Sequence, residues 1–289
     1  SAKIWYIYRV QMETAKDLDM PYPDGQTEKD KTNLAPYSLL VMMPTAGSIS
    51  TATVQTLLGL TQTLTHHKIP FAFKTFGWSD LVMSRNYLMS YFLMKSFFSH
   101  ALLLDRDLAF EPTLVLDALR LGEDFVIAPY PQRKLNLDRL AAMLAAETTQ
   151  IEKRPTSGIL AKSLDYLVQK EWDTHGAVVS EQRSGFRTVA GGGTGFMLVA
   201  RKVPETMVEN NHARNFPRQA PFGGVTSGKF FDFFSHLPDN VGSYLYAEDQ
   251  SFCRRWVLGC KGKIWAHDSA KITHHGSFSF AGNYAEVSK

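Results

Sequence analysis

The sequence predicts an α/β protein, a doubly wound α/β/α sandwich on a mostly parallel central sheet. Three observations predict it. Short runs rich in β-formers, at 38–43, 70–76, 101–104 and 124–131, alternate with segments of helical periodicity. The runs at 38–43 and 101–104 are almost wholly apolar instead of alternating, as in strands covered on both faces. Pro, Gly and hydroxyl residues stand at the junctions, where strands stop and helices are capped. With 289 residues, 44% of them hydrophobic, the chain can bury the core of one large domain or of a domain with an insertion.

In chain order, residues 3–10 read as a strand, and 13–33, polar with Pro21, Pro23 and Gly25, as a loop excursion. Residues 1–37 are thus an N-terminal strand and polar extension ahead of a single domain at 38–289. The strand at 38–43 ends in Pro44-Thr45-Ala46-Gly47-Ser48, and Ser50 or Thr51 can cap a helix with Val54, Leu57, Leu58, Thr61 and Leu64 on one face. Residues 70–76 alternate as a second strand. The next helix carries Arg85 and Asn86, with Leu88, Tyr91 and Phe92 on its apolar face. Arg85 can meet a phosphate or a nucleobase edge with its planar fork, or pair with Asp80 or Asp107.

The buried strand 101–104 runs into Asp105-Arg106-Asp107. Ligands collect at the carboxyl ends of strands in open α/β sheets, so both acids point toward a site. Two carboxylates one residue apart can hold a hard divalent cation and leave positions for substrate phosphates; a solvated turn with incidental acids has the same pattern. A short helix at 113–121 and a strand at 124–131, broken by prolines, follow. The stretch 131–185 reads as a helical insertion with runs at 135–148 and 163–172.

A strand at 196–200 follows Gly191, Gly192, Gly193 and Gly195. The order is loop then strand and no Lys-Ser/Thr ending is present, so this is not a P-loop; the glycines suit close backbone approach to a sugar or a plain connection. The segment 210–234, with Arg214, Arg218, Lys229 and four phenylalanines at 230–234, reads as a loop closing over substrate or as a stretch whose aromatics fill the core. Glu248-Asp249 opens a helix carrying Phe252, Cys253 and Trp256 on one side. An acidic pair there favours the helix dipole, by about 0.3 to 1 kcal/mol, or serves chemistry.

Taken together, Ser84-Arg85-Asn86-Tyr87-Leu88, the strand ending in Asp105-Arg106-Asp107, Ala247-Glu248-Asp249-Gln250, Gly262-Lys263-Ile264-Trp265 and Ile272-Thr273-His274-His275-Gly276 resemble, in that order, the family-2-type GT-A glycosyltransferases. The likeness covers roughly 38 to 282 apart from the insertion. It implies a GT-A type, Rossmann-like sandwich and transfer of a sugar from a UDP- or GDP-sugar to a hydroxyl of a glycan or glycolipid, as in polysaccharide biosynthesis. It implies Mn²⁺ or Mg²⁺ held by Asp105, Asp107 and His274, which fits the motif better than His275. Donor contacts would come from Pro44, Thr45, Arg85, Asn86, Asp105 and Arg106, and catalysis from Asp249 as base with Glu248 beside it.

Two rival readings exist. Haloacid-dehalogenase-like phosphatases also place Asp-x-Asp after an apolar strand, with the first Asp as nucleophile, but usually in the first strand. A non-catalytic nucleotide-sugar or glycan-binding module would keep the shape of the site without turnover. A formal net charge of +3 with no Lys/Arg-rich run gives no nucleic-acid footprint and leaves room for peripheral contact with an acidic membrane surface. No apolar stretch approaches the ~20 residues that span a bilayer. Cys253 and Cys260 would sit about 10 Å apart along one helix, too far to bridge. They read as reduced core cysteines of a cytoplasmic protein.

Overall fold

β1 (Leu39–Pro44) is buried along its whole length, which is why none of its six side chains is polar. The computed structural model describes residues 34, 37–45, 47–146, 162–170, 180–217, 229–239 and 241–276. Contacts divide the chain into Ser1–Asn33 and Leu34–Lys289, and everything described belongs to the second unit. The expected strand at 3–10 and polar stretch at 13–33 lie outside the described residues.

β1 pairs in parallel with β2 (Phe71–Phe76) and with β3 (His100–Leu104). β12 (Phe196–Ala200) then runs antiparallel between β3 and β5 (Phe125–Ile127), and β5 is parallel to β13 (Ile264–His267). β10 (Phe186–Val189) and β9 (Gln182–Arg183) complete an eight-stranded sheet in the order β2-β1-β3-β12-β5-β13-β10-β9. The sheet is mixed, where a mostly parallel one was expected. Phe-Met-Leu-Val-Ala is buried on both faces whichever way it runs, so its hydrophobicity carried no sign of its direction.

Helices cover both faces. On one, α1 (Thr51–His66) and α3 (Thr113–Leu121) pack over Leu39, Val41, Leu102 and Leu104. On the other, α2 (Leu81–Met94), α5 (Lys202–Glu209) and α6 (Glu248–Arg254) pack over Leu40, Met42, Ala101 and Leu103. Ser50 caps α1, its hydroxyl accepting from Thr53 N at 3.1 Å. The buried face of α1 is Thr53, Thr56, Leu60 and Leu64, while Val54 and Leu58, expected inside, are exposed. Hydrogen bonding explains the rotation: the Thr56 hydroxyl accepts from Phe110 N at 3.3 Å, tying α1 to β4 (Leu108–Phe110), so a threonine takes an inner position.

In the insertion, β6 (Pro131–Leu135) precedes α4 (Leu137–Ala146), whose first turn Asn136 caps by accepting from Arg139 N at 2.9 Å. The helix expected at 163–172 is absent from its described part, which forms β7 (Leu164–Tyr166) and β8 (Val168–Gln169). β7 pairs with β6, and β8 with β11 (Gly191–Gly192), so tertiary ladders override a weak helical pattern. Phe230, Phe231, Phe233 and Phe234 are buried and serve the core; Arg218 and the middle of the expected closing loop lie outside the described residues. α6 ends in a π-helical turn, Arg255–Gly259.

Candidate active site

The loop after β3 holds Asp105, Arg106 and Asp107, and five other parts of the chain converge on it. From α2 comes Arg85, whose side chain is only 4% exposed. Its Nη2 donates to Asp105 Oδ1 at 3.1 Å and its Nη1 to Glu248 Oε1 at 2.5 Å. One buried guanidinium therefore bridges the loop and the first turn of α6, a pairing the sequence did not specify. Asp80, offered earlier as its partner, caps α2 instead, accepting from Met83 N at 3.2 Å. Asp249, next to Glu248, has its carboxyl pKa raised, first by burial and then by the Glu248 charge, against the pull of Gln250 N and Arg85.

From the carboxyl-terminal side, β14 (Ile272–His274) pairs antiparallel with β4, placing His274 opposite Leu108. Strand pairing thereby delivers the imidazole to Asp107, with Nε2 3.5 Å from Oδ1. His274 Nδ1 lies 2.8 Å from the Pro131 carbonyl, which can only accept, so Nδ1 carries a proton. In the neutral ring Nε2 then presents its lone pair to a carboxylate oxygen. Two lone pairs facing each other at that distance need a proton or a cation between them, and the separation is one that two ligands of a single metal ion span. His275 differs: its N–H donates to Asp107 O at 2.8 Å, and its Nε2 is buried without a partner among the described residues.

The donor set is nevertheless smaller than expected. Among the described residues no group of three or more His, Cys, Asp or Glu side chains is arranged to hold a metal. Asp105 Oδ1 is paired with Arg85 and Asp107 Oδ2 with Arg133, so what remains for an ion is the approach of Asp107 Oδ1 and His274 Nε2 at 3.5 Å. Hard divalent cations are often held by one or two protein carboxylates with phosphate oxygens completing the shell, so a pair is compatible with substrate-assisted binding.

The other donor-site candidates divide. Pro44 ends β1 and is buried; Thr45 donates its N–H to Phe76 O at 2.9 Å, and its hydroxyl donates to Gly47 O at 3.2 Å. Arg106 lies along this loop, Nη1 donating to Ser48 O at 3.2 Å while its own carbonyl accepts from Ser50 N at 3.0 Å. The loops after β1 and β3 are thus joined at the sheet's carboxyl edge. Asn86 is elsewhere: it is buried with its carbonyl accepting from Phe234 N at 2.8 Å, an anchor for the aromatic segment.

Sequence reasoning missed Tyr130 and Arg133. The Tyr130 ring packs edge-on against His274, its hydroxyl accepts from Gly195 N at 3.0 Å, and burial raises its pKa. The nearby glycines make this possible: a Cβ on Gly193 would stand 2.3 Å from Tyr130 Oη, and one on Gly195 2.6 Å from Leu108 Cδ1. Close approach is what these glycines provide, to Tyr130 and Leu108 of the protein itself. Arg133, on β6, donates from Nη1 to Asp107 Oδ2 at 2.9 Å. Its only signal was its place after a strand at the sheet's carboxyl edge. Cys253 and Cys260 are free thiols; complete burial pushes Cys253 up to about 12, while Cys260 is only half-buried.

No protein-family model matches the sequence, and no curated protein does either. Among solved structures, the crystal structure of A197 from STIV is similar at 17% identity over 83% of this chain and 86% of that one, with a TM-score of 0.42. No helix among the described residues is long and apolar enough to cross a membrane.

Proposed function

We propose that this chain is a metal-dependent GT-A glycosyltransferase that moves a sugar from a nucleoside-diphosphate sugar to a hydroxyl of a glycan or glycolipid. The observation carrying it is the approach of His274 Nε2 to Asp107 Oδ1 at 3.5 Å, with the imidazole's other nitrogen held by a backbone carbonyl. Charge supports it as well. Asp105, Asp107 and Glu248, with Asp249 next to Glu248, meet the guanidiniums of Arg85 and Arg133, so the site is rich in carboxylates that a divalent cation would offset.

In this reading Asp107 and His274 would hold Mn²⁺ or Mg²⁺, which would supply a Lewis acid for the departing diphosphate. Arg85 fixes the Asp105 loop against α6, so donor and base sites keep their spacing. The loops after β1 and β3, through Thr45 and Arg106, form the donor-side wall. Asp249 is the base: its raised pKa brings it closer to that of a group able to take a proton from an acceptor hydroxyl. That role requires inversion at the anomeric carbon.

The test is a binding and turnover screen of UDP- and GDP-sugars with Mn²⁺, comparing wild type with Asp107→Ala and following product configuration by proton NMR. Turnover by wild type and none by a folded Asp107→Ala variant is expected. Metal-independent turnover, or metal-dependent release of phosphate from a phosphomonoester alone, would refute the proposal; a retained anomeric configuration would remove Asp249 as base.

A further inference from the structure

Asp107 has a second partner besides His274, and it comes from within the chain. Arg133 on β6 is 54% exposed, yet its guanidinium is brought to within 2.9 Å of Asp107 Oδ2, a carboxylate 19% exposed. Its stem is laid there by Gly276: a Cβ at that position would stand 2.6 Å from Arg133 Cδ and 3.3 Å from Cγ. Gly276 follows the His274-His275 pair, and His275 N–H holds the Asp107 backbone carbonyl at 2.8 Å. The segment that delivers His274 to Asp107 is therefore also the segment that makes room for Arg133.

We infer that Arg133 is a built-in counter-ion that competes with a divalent cation for Asp107. This rests on the metal reading above and adds a residue to it. A guanidinium on Oδ2 removes negative charge from the carboxylate and repels an approaching dication, so an ion arriving alone meets a site already half neutralised. Phosphate oxygens change the balance, because they offer a guanidinium a bidentate partner of their own. Arg133 thus favours a cation that arrives together with a diphosphate over one that arrives by itself. Since Arg133 is largely exposed and Asp107 is not, the arginine is the member of the pair free to move.

The test uses the full chain and Mn²⁺ alone, with bound ion measured by electron paramagnetic resonance of the free fraction. Arg133→Gln removes the guanidinium and should tighten Mn²⁺ binding about fivefold or more. Gly276→Ala keeps the arginine but pushes its stem from its place, and should shift binding in the same direction by a smaller factor. Asp107→Ala should abolish it. Equal Mn²⁺ affinity in wild type, Arg133→Gln and Gly276→Ala, with Asp107→Ala still blind to the ion, would overturn the role of Arg133 and leave the metal reading standing. Binding of Mn²⁺ alone by none of them, Arg133→Gln included, would overturn the role of Arg133, and no binding by wild type with UDP added would overturn the metal reading as well.

Discussion

Replacing Arg85 by Met should cost about 3 kcal/mol of folding stability. The arginine is 4% exposed, while its carboxylate partners Asp105 and Glu248 are 24% and 21% exposed. Truncating one partner of a buried ion pair costs about 3 to 5 kcal/mol, because the remaining charge is left without compensation in a poorly solvated place. Here the charges left behind are two carboxylates that water partly reaches, with Asp249 beside them, which puts the cost at the lower end of that range. Methionine replaces the packed volume, so the loss is electrostatic and not a cavity effect. Arg85→Lys keeps one positive charge but not the fork that spans both partners, and should lose roughly half as much. Urea unfolding monitored by tryptophan fluorescence at neutral pH reads all three. If Arg85→Met loses under about 1 kcal/mol, the bridge between the β3 loop and α6 is not a structural strut, and the reasoning fails.

Asp249→Asn should be inactive yet more stable than wild type at neutral pH. A raised carboxyl pKa means that the native state binds the proton more tightly than the unfolded chain does. The ionised form therefore destabilises the fold increasingly as pH rises from the unfolded value of about 3.9 through the raised one. The Asn advantage should vanish as pH falls to that lower bound, and a pH-independent difference in thermal midpoint would contradict it. Gly195→Ala should destabilise by about 1 to 3 kcal/mol through overpacking against Leu108 and Tyr130, measured by urea unfolding; wild-type stability would return that glycine to the role of a plain connection. Asn86→Ala leaves the buried Phe234 N–H without its acceptor and should cost about 1 to 3 kcal/mol, read as a fall in melting temperature, with an unchanged midpoint counting against the anchor.

What the sequence revealed was local. A buried apolar run stopping at an acid marks where a strand emerges, and Ala101 to Leu104 ending at Asp105 does so. Ser50 could be recognised as a cap because a cap needs only its own next turn. The failures share a cause, namely partners supplied from far along the chain. Arg85 meets Glu248 across 163 positions and Arg133 meets Asp107 across 26, and neither pairing leaves a periodic mark. Thr56 faces inward because Phe110 N needs an acceptor there, a demand fixed only once β4 lies against α1. The same dependence shapes the site. His274 reaches Asp107 only through the register that pairs it with Leu108, and a register slip of one residue would turn its ring to the opposite side of the ladder. β4 and β14 are each three residues long, so the ladder alone holds that register weakly, and contacts at its ends must fix it. Tyr130 against the ring, the Pro131 carbonyl on Nδ1 and His275 N–H on the Asp107 carbonyl are those contacts. The Pro129–Pro131 segment, which by sequence only ended a strand, is thus the clamp that brings a histidine and an aspartate from distant parts of the chain together.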